Sequence, residues 1–270
     1  MTLTKFTFFL FAFFLTVNSA LAQSKAANTK TDLDFGVGIY SRYVWRGTRY
    51  GGDSPNIQPE IKFSYNNFEI QAWGAYSTGG INSFQETDLI LQYSFIHDMF
   101  TAVISDYYFL NENRDYNYFN YRKDSTGHLF EGGLCFNGTK KLPLTLNAYF
   151  NFYGADAVRL GNNPSDTATF NKKTGIQFSD YFELGYNLTI KTTDLNFFLG
   201  FTFSNPKKPD SSTGFIGEKG FYGNNAGVVN IGFTVSKSIK ITKNYSIGLN
   251  SSLLANPETE RVFLVFGIDL

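Results

Sequence analysis

The 270-residue chain carries 23 basic and 23 acidic residues, so its formal charge is balanced and no basic surplus points to a nucleic-acid partner. The single cysteine, Cys135, excludes an intrachain disulfide and a thiolate-rich zinc site. Aromatic residues make up 18% of the chain, with 30 Phe and 17 Tyr, which is high for a soluble domain and suits pleated strands.

The N-terminal region has the pattern of a secretory signal. Lys5 precedes an apolar run over residues 6–17 and a small-x-small site that ends at Ala22. We expect a cleaved signal peptide over residues 1–22, a short segment over residues 23–31, and one domain over residues 32–270. The alternative is a short membrane anchor, but the apolar run falls below the roughly 20 residues that a spanning helix needs.

The first segment of the domain, residues 34–47, alternates apolar and polar positions with the period of an extended strand. It is longer than an ordinary strand of about five or six residues. A strand that crosses a bilayer at a tilt needs about nine to eleven residues. The segment therefore predicts a membrane-crossing strand whose lipid-facing parity holds Phe35, Val37, Ile39, Tyr43 and Trp45, with Trp45 in an aromatic girdle.

Later segments alternate in the same way, giving about twelve strands in all. They lie at residues 57–66, 68–77, 84–96, 100–110, 128–137, 142–152, 176–190, 195–204, 225–241, 245–255 and 261–270. Short connections near residues 66, 97, 138, 192 and 243 alternate with longer ones near residues 48, 78, 111, 154 and 205. This arrangement predicts an all-β fold, a transmembrane antiparallel up-and-down β-barrel with brief turns on one rim and long loops on the other.

The parity opposite the lipid-facing one predicts the lining of the lumen. Six charged residues on it are our candidates for setting ion selectivity: Arg42, Arg46, Glu60, Lys62, Glu86 and Asp88. Trp73 shares the inward parity and is expected to fill space there. In the alternative interpretation, the charges pair with one another only to fill a narrow barrel, because charges in a lumen need partners or water.

Three motifs near the N-terminus resemble a known family. They are the heptapeptide 41–47, the tetrapeptide 55–58 and the pentapeptide 73–77, with Glu86-Thr87-Asp88 following. Together they resemble the N-terminal signature of the TorF-type porin family, a group of bacterial outer-membrane barrel proteins of largely undefined function. Pro59 stands where that family leads us to expect a glycine. The resemblance covers about the first four strands and implies an outer-membrane barrel without a defined substrate.

Enzymatic chemistry is not expected. A barrel lipase needs a serine and a histidine on neighbouring strands near the outer rim. His128 has a suitable parity and rim, but the adjacent strand end at residues 150–154 offers no serine. Asn162, Asn163 and Asp166 supply oxygen atoms without the spaced carboxylates of a calcium loop, so an ordinary polar loop is preferred. We predict no catalytic residue, cofactor or metal site.

The sequence favours a porin-like barrel in the bacterial outer membrane that passes small polar solutes or ions. Its expected partners are outer-membrane lipid, the solutes and the barrel-assembly machinery. A rival is a closed or plugged barrel that acts as a surface binding or structural protein through loops 111–127, 154–175 and 205–223. A third alternative is a soluble periplasmic ligand-binding barrel.

Overall fold

The computed structural model describes residues 31–79, 84–111 and 117–270, and these residues form strands, turns and loops without a helix. The predicted signal peptide lies outside the described residues, as does the segment after it except Thr31. In chain order the strands are β1 (Thr31–Tyr40), β2 (Val44–Trp45), β3 (Thr48–Arg49), β4 (Asn56–Tyr65), β5 (Phe68–Ser77), β6 (Phe84–Phe95), β7 (Phe100–Asn111), β8 (His128–Phe136), β9 (Leu144–Gly154), β10 (Val158–Leu160), β11 (Lys173–Ile176), β12 (Asp180–Ile190), β13 (Thr193–Thr202), β14 (Gly227–Lys240), β15 (Ser246–Asn256) and β16 (Arg261–Asp269).

Twelve of these strands close into one antiparallel barrel, which confirms the predicted fold class. Each barrel strand pairs with its neighbours along the chain, and β1 closes the barrel against β16. The remaining strands form two short pairs inside the long connections, β2 with β3 and β10 with β11. Closure leaves no free sheet edge around the ring, which is the requirement for a sheet that sits in lipid.

The barrel wall has an apolar outer face. Side chains on the outward parity include Phe35, which is 70% exposed, and Leu264, which is 52% exposed. Ile61, Leu146 and Ile231 continue this surface on other strands and are also exposed. Because side chains alternate across a strand, the opposite parity of the same strands points into the barrel.

The connections differ at the two ends of the barrel. One end carries short turns, such as residues 66–67 between β4 and β5 and residues 191–192 between β12 and β13. The other end carries the long connections 41–55, 155–179 and 203–226, although its last connection, after β15, is short. The predicted alternation of short turns and long loops is therefore confirmed for most of the barrel.

The first strand is shorter than the sequence analysis predicted. β1 ends at Tyr40, and residues 41–55 leave the wall instead of continuing it to residue 47. These residues turn into the barrel, where Tyr43 is buried. The half of the lumen nearest the long loops is therefore filled, whereas the half nearest the short turns holds a cavity.

Candidate functional site in the barrel lumen

A β-hairpin inserts into the lumen from the connection between β1 and β4. It consists of β2 and β3, in which Val44 pairs with Arg49 and Trp45 pairs with Thr48. The two residues at its tip, Arg46 and Gly47, have φ angles of 48° and 76°. A two-residue turn with positive φ at both positions is the turn that best matches the twist of paired strands. We call residues 44–49 the lumen hairpin.

The tip of the lumen hairpin lies directly against the barrel wall at β14. A Cβ atom added to Gly47 would collide with the backbone carbonyl oxygen of Val229 on β14. The Asn256 amide donates to the Gly47 carbonyl oxygen at 3.2 Å. Only glycine fits this position, because it combines a positive φ with close contact between two backbones.

The Arg46 side chain at the tip forms a buried ion pair with Glu131 on β8. Arg46 Nη1 donates to Glu131 Oε2 at 2.5 Å, and Nη2 donates to Oε1 at 2.9 Å. The two side chains are 9% and 1% exposed. The Tyr107 hydroxyl also donates to Glu131, at 2.9 Å, and Arg46 Nη1 donates to the Tyr222 hydroxyl at 2.5 Å. The Arg46–Glu131 ion pair is therefore bidentate, and both carboxylate oxygens accept hydrogen bonds.

Aromatic rings surround the same guanidinium group. The Arg46 Cζ atom lies 4.1 Å from the ring centroid of Tyr149, 4.6 Å from that of Tyr181 and 5.8 Å from that of Tyr222. The Trp45 ring of the hairpin itself is 4.3 Å away. Such distances are within the range at which a cation is attracted to a ring face. We call Tyr107, Glu131, Tyr149, Tyr181 and Tyr222 the guanidinium cage.

Aromatic side chains also pack the connection against the wall on its other side. The Tyr43 ring lies 5.5 Å from the Trp73 ring on β5, and the Tyr50 ring lies 5.5 Å from Phe84 on β6. Tyr50 also stacks on Phe109 of β7 at 6.0 Å. These aromatic contacts each add a fraction of a kilocalorie to about 1.5 kcal/mol beyond simple burial. They hold the connection in the lumen independently of the ion pair.

A polar cavity of about 550 Å³ adjoins the cage on the short-turn side. Arg46 and Trp45 of the hairpin form part of its wall together with Tyr149 and Tyr181. Its other lining residues include Gln92, Thr101, Asn137, Asn147, Glu183 and Asn230. The lumen therefore holds a polar cavity on the short-turn side of the cage and is filled on the other side.

The predicted arginines occupy different places. Arg46 lies in the lumen, but its acidic partner is Glu131 on β8 and none of the predicted acids on β4 and β6. Arg42 lies near the mouth, where its Nη1 atom is 3.6 Å from the exposed Asp53 carboxylate. The two arginines therefore do not form one row of charges.

Glu60 and Lys62 pair with each other inside the barrel. Their charged atoms are 3.4 Å apart, and both side chains are about one-third exposed. The Gln71 amide donates to the other Glu60 oxygen at 2.7 Å. Glu60 also lines a second cavity of about 220 Å³ next to Asp269 and Trp73. Trp73 faces inward, in the orientation that the sequence predicts.

Glu86 and Asp88 on β6 are the most buried of the predicted residues, at 2% and 3% exposed. Within the described residues no Lys or Arg is ion-paired with either of them. One oxygen of each carboxyl group is buried without a hydrogen-bond partner. Burial of two carboxyl groups without cationic partners is energetically costly. Arg42 and Arg46 are paired with Asp53 and Glu131, and not with Glu86 or Asp88.

The predicted position of Trp45 in a lipid-facing girdle is wrong. Its ring lies 5.4 Å from Tyr107 and 6.0 Å from Tyr222, both inside the barrel. Tyr43, placed on the same lipid-facing parity, is also inside. The physical reason is that β1 ends at Tyr40, before these residues. The alternation of side chains along that strand therefore does not decide whether Tyr43 and Trp45 face lipid or the lumen.

His128 is completely buried near the long-loop end of β8. Its Nδ1 atom lies 2.7 Å from Asp106 Oδ1, and its Nε2 atom lies 2.6 Å from the Tyr118 carbonyl oxygen. The Tyr121 ring stacks over it at 4.4 Å. Both ring nitrogens are therefore engaged in holding the connection between β7 and β8.

The long connections 155–179 and 203–226 are joined by hydrogen bonds. The Leu160 amide donates to Glu218 at 2.9 Å, and the Asn171 side chain donates to the Gly214 carbonyl oxygen at 3.0 Å. In the connection 155–179, donation by the Thr169 hydroxyl lowers the pKa of the Asp166 carboxyl.

Among the described residues no cluster of three or more potential ligands could hold a metal ion. Nor does that part of the chain contain a helix long and apolar enough to cross a membrane.

Comparison with known proteins leaves the family open. A scan against protein-family models finds no match, so the resemblance to TorF-type porins is not confirmed. No curated protein matches the chain either. A solved KdgM porin is similar at 10% identity and a TM-score of 0.45, over 87% of this chain and 96% of that chain. A chain from a study of the in-meso crystallization of membrane proteins is 8% identical, with a TM-score of 0.40, over 89% and 83%. Likenesses this distant transfer no activity or substrate.

Proposed function

We propose that this protein is an outer-membrane channel of a Gram-negative bacterium, through which small polar solutes or ions diffuse passively. The lumen hairpin is its constriction, and the Arg46–Glu131 ion pair holds that constriction in place. Transport of this kind needs no chemical step, so no catalytic residue is required. The selectivity of the lumen comes from the charged side chains that line it.

The apolar exterior supports a location in the membrane. Large side chains such as Phe35 and Leu264 are more than half exposed on the outward parity. A soluble protein rarely exposes so extended an apolar surface, whereas a bilayer stabilises it. The closed hydrogen-bonded ring meets the second requirement of the bilayer, since lipid cannot bond to free strand edges.

The single observation that carries the channel function is the polar cavity that ends at the guanidinium cage. Barrels of about eight strands have an interior that side chains can fill. Here one half of the lumen is open and polar, and the other half is closed by a connection that leaves the wall. Passage of a solute through this arrangement requires the lumen hairpin to move aside.

Conductance in planar bilayers tests the proposal. Tyr40 and Asn56 are paired neighbours on β1 and β4, so a two-residue Asn-Gly turn can replace residues 41–55 without strain in the wall. We expect wild-type protein to show small or intermittent conductance and the hairpin deletion to show a large steady one. In a matched control, the same Asn-Gly turn replaces residues 162–171, the tip of an outer loop. This control should conduct like the wild type. Folded protein that never conducts, with or without the hairpin, would contradict the channel function.

A second candidate is a closed barrel that acts through its surface loops. It is favoured by the hydrogen bonds that join the two longest connections, including one from the Gln177 amide to the Lys219 carbonyl oxygen at 3.1 Å. A wild-type barrel that never conducts, together with a hairpin deletion that does, would support this candidate. Extraction from membranes without detergent would instead support a soluble periplasmic barrel.

A further inference from the structure

The guanidinium cage has the composition of a cation-binding site. Glu131 presents both carboxylate oxygens to the guanidinium group, and the rings of Tyr149 and Tyr181 lie at 4.1 and 4.6 Å. All three residues belong to barrel strands and not to the hairpin. If the hairpin left the lumen, these side chains would keep their positions and the site would be empty.

An empty cage would contain a buried negative charge without a partner. Tyr107 and Tyr222 donate hydroxyl hydrogen bonds to Glu131, but no described Lys or Arg other than Arg46 pairs with it. Removing one member of a buried ion pair is strongly unfavourable, because the remaining charge is left desolvated. Opening of the hairpin therefore favours a replacement cation beside Glu131.

The adjoining cavity adds polar groups that such a cation would meet. Glu183 lines this cavity, and its described hydrogen-bond donors are the Tyr181 hydroxyl and the Asn230 amide. It has no ion-pair partner within the described residues. The Asn230 side-chain oxygen is buried without a hydrogen-bond partner, although the residue lines the same cavity. These groups favour a cation with several N–H donors.

We propose that the cage binds alkylguanidinium cations, and that the Arg46 side chain occupies it as a tethered substitute for the solute. A planar guanidinium matches both the paired carboxylate oxygens and the ring faces, whereas a compact ammonium matches only the charge. An arriving solute competes with Arg46 from the short-turn side and releases the lumen hairpin. Release of the lumen hairpin by a solute rests on the proposed channel function. The binding of alkylguanidinium cations to the cage does not depend on that function.

Binding in detergent tests the site separately from conductance. The Arg46→Ala variant leaves the cage empty, so methylguanidinium should bind it with a stoichiometry of one and raise its unfolding temperature. Methylammonium at the same concentration should have a clearly smaller effect. Wild-type protein should respond weakly, because Arg46 already fills the cage. The Arg49→Ala variant is the matched control, since Arg49 belongs to the same hairpin but pairs with the exposed Asp53.

Two outcomes would overturn the proposal. One is an equal response of Arg46→Ala to methylguanidinium and methylammonium, and the other is an equal response of Arg46→Ala and Arg49→Ala to methylguanidinium. If Arg46→Ala folds poorly, refolding yield becomes the measurement, and only methylguanidinium should restore it. Equal yields with both cations, including no yield with either, would overturn the proposal. Binding without conductance would leave the site standing and remove the channel function.

Discussion

The substitution Glu131→Gln should release the lumen hairpin. Glu131 is 1% exposed and Arg46 is 9% exposed, so the variant leaves a guanidinium charge buried without its carboxylate. Breaking a buried pair in this way costs about 3–5 kcal/mol. Since about 1.4 kcal/mol corresponds to a factor of ten, the ratio of docked to released hairpin should fall by roughly 100-fold or more.

Trypsin cleavage after Arg46 measures this change. In the docked state Arg46 lies inside the barrel, so cleavage there reports the population of released hairpin when opening and closing are fast. We expect the cleavage rate of Glu131→Gln to rise by about the same factor as the released population. Conductance in a planar bilayer should rise with it, because the same motion opens the lumen.

Asp53→Asn provides the matched control for Glu131→Gln. Asp53 pairs with Arg42 and Arg49 at the mouth, where its side chain is 72% exposed. Exposed pairs contribute at most about 1 kcal/mol, so cleavage after Arg46 should change little. Unchanged cleavage and unchanged conductance in Glu131→Gln would refute the conclusion that the buried pair holds the hairpin.

Three further substitutions test the facing and packing of the chain. Gly47→Ala should raise conductance, because its Cβ atom would collide with the Val229 carbonyl oxygen and force the hairpin tip away. Val37→Asp should prevent stable insertion into bilayers, since a basic residue on the lipid-facing side costs about 2–4 kcal/mol near the midplane and an acidic residue somewhat less. The pair Glu86→Gln and Asp88→Asn should raise the unfolding temperature, because it removes buried carboxyl groups without cationic partners.

Each of these substitutions has its own control. Gly52→Ala sits in a part of the connection with no atoms near the added Cβ, and Arg42→Ala changes a mouth residue without altering the lipid-facing surface. Glu69→Gln removes an inward acid that already accepts a hydrogen bond from Gln92. Wild-type conductance in Gly47→Ala, normal insertion of Val37→Asp, or a lower unfolding temperature in the double variant would contradict the corresponding assignment.

The strands of the wall could be predicted because their two faces meet different media. Lipid on one side and a polar lumen on the other impose a period of two along every strand. The clearest case is β5, which runs from Phe68 to Ser77 as predicted. Short turns such as residues 66–67 follow from the same alternation, since each must reverse the chain within two residues.

The lumen hairpin could not be predicted from that period. Tyr43 and Trp45 continue the apolar parity of β1, but they pack inside on aromatic rings instead of outside on lipid. Both environments accept the same side chains, so alternation does not distinguish them. The dipeptide Arg46-Gly47 was the available signal, because a glycine after a polar residue is typical of a hairpin turn. Glu131, 85 residues further along the chain, becomes its partner only through the curvature of the barrel.

The unusual turn residue indicates why the hairpin is held as it is. Arg46 has a φ of 48°, at a position where Asn, Asp or Gly is preferred, and a non-glycine residue in this region costs about 1–3 kcal/mol. The contacts of the Arg46 side chain with Glu131 and the surrounding rings offset this local cost. A cation that takes those contacts, as proposed above, would leave the aromatic contacts of Tyr43 and Tyr50 to keep the strained turn inside the barrel. In that proposal, ligand binding and release of the hairpin are coupled through the same atoms.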